Sequence, residues 1–173
     1  MTMVGVRRAV PEDIDAVLDM FVAVVEEGRW LGTQAPVDRE IQQERFLHDM
    51  TSQENVSLVA VVDRDIVGHA RVDLAPYKVA GLGMMVDARW RGRGIGGALV
   101  RSAVDAARDM GAHKLALQVW PHNEAARRLY LRHGFVEEGV LRRHYPRRNG
   151  ELWDAVIMGL VLDETSPGSS LST

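Results

Sequence analysis

The chain has 173 residues, of which 46% are hydrophobic and 26% charged, and it contains no cysteine. This length suits one domain with its own hydrophobic core, and the missing cysteines exclude disulfides, thiolate nucleophiles, zinc fingers and iron–sulfur clusters. The net charge of −3 conceals an asymmetry, because residues 89–148 hold 13 basic and 5 acidic side chains and the remainder is acidic. A basic half of this kind indicates either an anionic ligand or a solvated surface.

No apolar run reaches the ~18 residues that a membrane helix needs, and the first eight residues lack the apolar segment of a signal peptide. A cytoplasmic protein without a membrane partner is therefore expected. The sequence pI of 6.1 and the few aromatic residues disfavour a nucleic-acid partner. No group of His, Asp and Glu has metal-site spacing, so no metal is predicted. A single domain is predicted over residues 1–163, followed by a disordered polar tail, 164–173.

The first half of the chain predicts two helices and three further strands after an edge strand at 4–10. Pro11 opens an amphipathic helix that ends at Gly28. A loop over 28–37 follows, and Asp38 caps a second helix that runs to about Asp49. Residues 56–63 and 66–74 predict a hairpin. The next strand, 79–86, contains two glycines that indicate a bulge.

The second half begins with the longest predicted helix, 94–110. A strand at 114–120, a short helix at 123–133 and two last strands at 135–140 and 152–162 complete the chain, with an Arg-rich connection between those two strands. The alternation of strands and helices predicts a mixed α/β (α+β) domain built on one central sheet of about seven strands with four helices.

The segment from Arg91 to Gly97 reads Arg-Gly-Arg-Gly-Ile-Gly-Gly and precedes the longest helix. Glycines let the backbone approach a ligand closely, and the free N–H groups at a helix start attract anions, so this segment predicts a phosphate or pyrophosphate site. The absence of a following Gly-Lys-Ser/Thr excludes a P-loop. A dinucleotide fingerprint is formally matched, but the strand ends five residues too early and no acid follows at the ribose position.

The pattern of Arg91, Gly94 and Gly96, with the Asn123-x6-Tyr130 spacing and the following Gly-Phe, resembles the GNAT N-acetyltransferase superfamily. Residues 150–158 resemble its branch that acetylates amino acids and other small molecules. The resemblance extends from the first strand to about residue 162. It implies a mixed, mostly antiparallel sheet with a V-shaped splay between the fourth and fifth strands, and acetyl-CoA as cosubstrate.

The same resemblance implies roles for particular residues. The cofactor-binding set is Met84, Met85, Val86, Arg91, Gly92, Arg93, Gly94, Ile95, Gly96, Gly97, Asn123 and Tyr130. The backbone amide of Met85 is expected to polarise the thioester carbonyl. The Tyr130 hydroxyl is expected to face the CoA sulfur and to protonate the leaving thiolate; its alternative role is packing in the core. Asn123 suits a helix N-cap, with or without a contact to CoA.

The general base is left open by the sequence. In many members of that superfamily the strand before the glycine-rich loop carries an acid, and here residues 80–86 carry none. A water chain is one candidate route for the proton. The candidate side chains are Glu26, Glu27, Glu151, Asp154, His69, His122 and His144. The predicted acceptor-binding residues are Trp30, Glu27 and Gln34, while the arginines at 142, 143, 147 and 148 either bind a substrate carboxylate or face solvent.

The sequence therefore predicts direct transfer of an acetyl group from acetyl-CoA to the primary amine of a small molecule, an amino acid or a related compound, in a ternary complex. The missing cysteine and the lack of a Ser-His-Asp signature disfavour an acyl-enzyme. Two alternatives stay open, which are acetylation of a peptide or protein N-terminus and a non-catalytic acyl-CoA sensor. A homodimer is also predicted.

Overall fold

A computed structural model describes residues 4–162, so the tail predicted at 164–173 lies outside the described residues. The strands are β1 (Gly5–Arg8), β2 (Asn55–Val62), β3 (Asp65–Ala75), β4 (Val79–Val86), β5 (Lys114–Val119), β6 (Val136–Pro146) and β7 (Leu152–Val161). The helices are α1 (Ile14–Glu26), α2 (Arg39–Thr51), α3 (Ile95–Asp109) and α4 (Glu124–Arg132), and a 3-10 turn over Pro11–Asp13 leads into α1.

The seven strands form one sheet in the order β1-β2-β3-β4-β5-β7-β6. Neighbouring strands are antiparallel except β4 and β5, which are parallel and pair only from Val79 to Gly81 on the β4 side. Beyond Gly81 the two strands separate. The mixed, mostly antiparallel sheet and its splay between the fourth and fifth strands are confirmed.

Local side-chain bonds fix where the helices begin, as the sequence predicts. The Asp38 carboxylate accepts a hydrogen bond from the Ile41 N–H at 3.2 Å, and the Asn123 amide oxygen accepts one from the Ala126 N–H at 3.2 Å. Such bonds satisfy N–H groups that have no partner within the helix. The Asp13 side chain makes no such bond to α1 and instead accepts the N–H of Val10, the residue before the 3-10 turn, at 2.9 Å.

Helices cover both faces of the sheet and form two hydrophobic cores. On one face, α3 packs its apolar side, including the fully buried Leu99 and Val100, against the central strands. On the other face, α1 and α2 bury Phe21 and Phe46 together with Met85 of β4. The strand β4 therefore contributes alternate residues to both cores, because side chains alternate along a strand.

Three local predictions need correction. Strand β6 extends to Pro146 rather than 140, because the arginine-rich segment pairs with β7 beyond a register shift between Leu141 and Tyr145. Residues 79–86 pair with β3 without a register shift, so the two glycines form no bulge. Ile41, predicted on the apolar side of α2, is 60% exposed because that helix buries little besides Phe46 and Asp49. Within residues 4–162, no helix has the length and hydropathy of a membrane span.

Candidate active site

A cleft of about 630 Å³ opens where β4 and β5 separate. Backbone and side chains of Leu82–Val86 form one wall, and Gln118, Val119 and Trp120 of β5 form the other. The glycine-rich loop and α4 complete the cleft at one end, while Trp30, Leu31 and Gly32 line the other. The cleft is thus a consequence of the sheet topology, since no strand fills the gap beyond Gly81.

The glycine-rich loop reaches α3 through backbone conformations that favour glycine. Gly92 and Gly94 have φ of +74° and +83°, a region that L side chains rarely adopt. At Gly96, a Cβ atom would lie 2.9 Å from a methyl group of Leu129 in α4. Gly92, Gly94, Gly96 and Gly97 all line the cleft. The first turn of α3 therefore presents its N–H groups to the cleft without side chains in the way, an arrangement that suits an anion.

The other residues of this loop face elsewhere. The Arg91 guanidinium forms two hydrogen bonds with the Glu27 carboxylate, at 2.6 and 2.7 Å, and its Nε donates to the Val86 carbonyl at 3.1 Å. Arg93 lies over the Trp90 ring at 5.1 Å, and Ile95 is buried in the core. Arg91 lines the cleft, but its charge is matched by Glu27 and it ties the loop to the end of α1.

The backbone amides of β4 alternate in direction. Asp87, just after β4, donates its N–H to the Val67 carbonyl of β3 at 3.0 Å. In an antiparallel pair, hydrogen-bonded positions recur at every second residue, so Met85 also directs its N–H to β3. The predicted role of the Met85 amide is therefore corrected. The N–H groups of Met84 and Val86 face the splayed side, toward the cleft.

Tyr130 of α4 is 7% exposed and lines the cleft, and its ring lies 5.5 Å from that of Phe135. Burial raises the pKa of its hydroxyl well above the usual value of 10. The phenol therefore stays protonated across the neutral range. Both roles considered for this residue, core packing and a hydroxyl at the cleft, are compatible with this position.

The predicted acceptor residues lie around the loop over 28–37. Trp30 lines the cleft and donates its indole N–H to Glu27 at 2.5 Å. Glu27 is outside the lining, and its hydrogen bonds with Arg91, and to a smaller extent with Trp30, lower the pKa of its carboxyl. Gln34 is also outside the lining and accepts the Arg148 N–H at 2.7 Å. The structure thus places Trp30 at the cleft, whereas the side chains of Glu27 and Gln34 form hydrogen bonds with neighbouring segments of the chain.

None of the candidate carboxylates lines the cleft among the described residues. Glu26 is exposed at the end of α1. Glu151 is exposed and accepts the Trp153 indole N–H at 2.8 Å, a bond that lowers the pKa of its carboxyl. Asp154 accepts the Arg143 N–H at 2.7 Å. A carboxylate positioned inside the cleft, as the base would require, is absent from residues 4–162.

The candidate histidines also lie outside the cleft lining. His122 hydrogen-bonds the Arg29 carbonyl at 2.8 Å and packs edge-on against Trp153. His144 is exposed on β6. His69 is buried in β3, on the face of the sheet that α1 and α2 cover, and bonds Ser57 at 2.9 Å.

An aromatic and arginine cluster that sequence reasoning missed supports the acceptor end of the cleft. Trp120 packs edge-on against Tyr145 at 5.1 Å and against Trp153 at 5.4 Å. The Arg147 guanidinium lies 4.2 Å from the Trp153 ring centroid and donates to the Gly32 carbonyl at 3.0 Å. Arg147 is 8% exposed, so it does not face solvent.

Comparison with known proteins shows what this architecture is. The acetyltransferase (GNAT) family profile matches residues 20–135. The L-amino acid N-acetyltransferase AaaT of Escherichia coli (strain K12) is 37% identical over 60% of this chain and 67% of that protein. A putative ribosomal protein bS18-alanine N-acetyltransferase of Bacillus subtilis is 28% identical over 70% of this chain and 80% of its own length.

Solved structures agree over almost the whole length. A ribosomal-protein-alanine N-acetyltransferase from Brucella melitensis superposes with a TM-score of 0.83 at 26% identity, covering 91% of this chain and 99% of its own. The yncA putative acetyltransferase from Salmonella typhimurium, solved with its cofactor acetyl-CoA, has the same fold, with a TM-score of 0.82 at 20% identity over 96% of this chain and 98% of its own. The chain belongs to the acetyltransferase (GNAT) family, and it is an acyltransferase.

Proposed function

We propose that this acyltransferase moves the acetyl group of acetyl-CoA to the primary amine of a small molecule, an amino acid or a related compound, by direct attack in a ternary complex. The observation that carries the proposal is the 630 Å³ cleft, which joins an anion-binding helix start to strand edges with free backbone amides. A cleft with a phosphate-binding loop at one end and a separate acceptor site at the other suits two substrates that are bound at the same time.

The residues of the cleft fit acetyl-CoA. The N–H groups at the start of α3 would hold the pyrophosphate, because Gly94 and Gly96 leave the backbone uncovered. The Met84 and Val86 amides would bond the pantetheine arm and the thioester carbonyl. Asn123 lines the cleft while capping α4, so its side chain would also be in a position to contact CoA. Acetyl-CoA supplies an activated acetyl thioester when bound.

The residues of the cleft would also contribute to the chemical step. A backbone N–H of β4, that of Met84 or Val86, would stabilise the negative charge that develops on the carbonyl oxygen, an effect of about 3–4 kcal/mol where one donor has been removed. Tyr130, protonated at neutral pH because it is buried, would donate to the departing thiolate. Because no carboxylate lines the described cleft, the attacking amine loses its proton to water.

The acceptor class is supported by the similarity to the L-amino acid N-acetyltransferase AaaT. The alternative acceptor is a protein, because other relatives, 28–29% identical to this chain, are named as ribosomal protein bS18-alanine N-acetyltransferases. The amino acid is favoured because the relative that carries that name is the more similar of the two.

An amine panel tests the proposal. The protein is incubated with acetyl-CoA and, in turn, the proteinogenic amino acids, polyamines and short peptides, and the release of free CoA is followed with a thiol reagent. Mass spectrometry of the products verifies an added acetyl group, and reactions without amine measure background hydrolysis. Turnover with amino acids supports the proposal; turnover with peptides only, or acetyl-CoA binding without turnover, contradicts it.

The predicted homodimer and the predicted cytoplasmic location stay predictions. Strand β6 lies at one edge of the sheet and exposes Val136 (58%) and Val140 (53%), and such an edge can pair with a second chain. Sedimentation equilibrium of the full chain measures the mass directly.

A further inference from the structure

A second, smaller cavity of about 150 Å³ lies beside the cleft, on the face of the sheet that α1 and α2 cover. It shares Leu31, Gly83, Met84 and Met85 with the cleft, so the two spaces meet across β4. Its remaining lining is Phe21, Arg45, Phe46, His69 and Arg71.

The junction between the two cavities is open because β4 has no side chain there. A Cβ atom built at Gly83 would meet nothing within 4 Å, and the residue is exposed. A small molecule can therefore reach from the thioester end of the cleft into the smaller cavity past this glycine.

Two arginines give the smaller cavity its charge. No carboxylate of residues 4–162 lies within salt-bridge distance of Arg45, whose guanidinium lies 5.3 Å from the Phe46 ring centroid. Arg71 Nε lies 3.1 Å from Asp49, and its Nη1 lies 3.6 Å from Asp73. Neither of these contacts involves Nη2 of Arg71. Arg45 and Arg71 therefore both keep N–H groups that can donate to a ligand.

The buried His69 ring reports the same positive field. Burial, and then the charges of Arg45 and Arg71, lower its pKa to about 4, so the ring is neutral at pH 7. It bonds the Ser57 hydroxyl at 2.9 Å and adds no charge of its own. Near neutral pH the cavity therefore presents two cations and no unpaired anion among the residues that line it.

Other arginines around the cleft are hydrogen-bonded within the protein. Arg91 pairs with Glu27, Arg147 donates to the Gly32 carbonyl, and Arg148 donates to the Ala35 carbonyl. Arg45 and Arg71 are the two cations that line the smaller cavity beside β4.

We propose that the smaller cavity receives the carboxylate of the acceptor, bound by Arg45 and Arg71, and that the acceptor is a free α-amino acid rather than a polyamine or a peptide N-terminus. This inference rests on the proposed function, whose acceptor class it makes specific. In an α-amino acid the carboxylate and the reacting amine are separated by one carbon, so the two groups would lie close together on either side of the junction at Gly83. A peptide N-terminus has a neutral amide at that place, and a polyamine has only positive charge.

The test compares the best amino acid of the panel with its primary amide, which keeps the amine and the side chain but lacks the charge. We expect kcat/KM of the wild type to be at least about tenfold higher for the acid, because the amide lacks the charge-assisted hydrogen bonds that the carboxylate accepts. Arg45→Gln should remove most of this preference, about tenfold, through a higher KM for the acid. The KM for acetyl-CoA should not change.

Arg39→Gln is the matched control, because Arg39 lies on the same helix, pairs with the exposed Asp19 and lines neither cavity. It should leave the preference for the acid intact. Arg71→Gln should act like Arg45→Gln, and a thermal melt checks that it folds, since Asp49 beside it is buried. An amide used as well as the acid by the wild type, or an unchanged preference in Arg45→Gln, overturns the inference while the proposed function stands.

A binding measurement distinguishes failure of this inference from failure of the proposed function. If no amine is acetylated, the proposed function fails, and calorimetric titration of the CoA-saturated protein with amino acids decides the inference. Saturable binding that weakens about tenfold in Arg45→Gln, and not in Arg39→Gln, supports it. Absence of binding, or binding that Arg45→Gln leaves unchanged, overturns it.

Discussion

Tyr130 combines a buried ring with a hydroxyl at the cleft, and the two contributions can be separated by one substitution. Tyr130→Phe keeps the packing against Phe135 and removes only the hydroxyl. We expect kcat to fall about 10²-fold, because a positioned general acid contributes at least this much, while the KM for acetyl-CoA stays nearly constant. Steady-state release of CoA measures both quantities.

Tyr77→Phe is the control for this substitution, since Tyr77 is 92% exposed and lies outside the cleft lining. Its kinetic constants should equal those of the wild type. A Tyr130→Phe enzyme with unchanged kcat would leave the residue with its packing role alone.

Arg147 is a positioning residue, which acts on the acceptor through the loop that it holds. Arg147→Lys keeps the charge but loses the planar group over Trp153 and the fork that reaches the Gly32 carbonyl. We expect the acceptor KM to rise about tenfold and the free energy of unfolding to fall by about 1–2 kcal/mol. The KM for acetyl-CoA should be unaffected, because the glycine-rich loop lies at the other end of the cleft.

Arg142→Lys, at an exposed site of β6 shortly before Arg147, controls for the change of residue type. It should alter neither KM nor the urea midpoint. Equal shifts in the KM values for acceptor and acetyl-CoA in Arg147→Lys would contradict a role confined to the loop.

At this scale, the sequence predicts those residues whose function depends on near neighbours in the chain. The glycine-rich loop and the Asn123-to-Tyr130 spacing each lie within one loop or helix, and the structure places them on the cleft. Arg147 and the Gly32 carbonyl are separated by more than 100 positions, and their contact depends on how the β6–β7 hairpin packs on the loop. The role of Met85 also depended on the strand pairing, which composition does not reveal.

The packing of α3 on β3 depends on one glycine. A Cβ atom at Gly68 would lie 2.9 Å from Leu99, 3.1 Å from Ile95 and 3.3 Å from the Met85 carbonyl. All three neighbours are held in the core, so Gly68→Ala forces strain. We expect a loss of about 1–3 kcal/mol in the free energy of unfolding, measured by urea denaturation.

Gly139→Ala is the matched control in another strand, where an added Cβ meets nothing within 4 Å and φ is not positive. Its free energy of unfolding should change by less than about 0.5 kcal/mol. Equal losses at both positions would contradict a cost that arises from the close approach of α3 to Gly68.

Elements that bury an apolar face are predicted well from the sequence, and exposed ones are not. The bounds of β4 agree to the residue, α3 agrees within one residue and α1 within three, since a 3-10 turn precedes α1; both helices carry a periodic apolar pattern. Strand β6 is an edge strand whose side chains are mostly exposed, so residues 141–146 lack an apolar pattern even though they belong to it. Pairing with β7, rather than local sequence, defines where β6 ends.

Across the whole molecule, the basic stretch from Arg89 to Arg148 divides into paired and free charges. Six of its side chains form salt bridges: Arg89, Arg91, Arg108, Lys114, Arg127 and Arg128. Arg132 lines the cleft, and Arg101 lies beside Gly97 at the start of α3. An anion at the glycine-rich loop therefore meets a smaller cationic surface than the composition indicates.

Acid stability of the whole protein should depend on His69. Its pKa is about 4 in the folded chain, against 6.5 when unfolded, so the unfolded state binds one more proton between these values. Stability then rises with pH in this window and falls as the pH drops from about 6.5 to 4, by about 3 kcal/mol in total. The carboxyls of Asp13, Glu27 and Asp87 have lowered pKa values and act at lower pH.

His69→Gln removes this titration, since a glutamine binds no proton and keeps a polar group beside Ser57. Urea unfolding at half-unit steps from pH 7 to pH 4 should show a slope smaller than that of the wild type by about 1.4 kcal/mol per pH unit between 4.5 and 6. His144→Gln, at an exposed site, should keep the wild-type slope. Equal slopes in His69→Gln and the wild type would mean that His69 is protonated in the folded protein, and that the field of Arg45 and Arg71 is weaker than their positions imply.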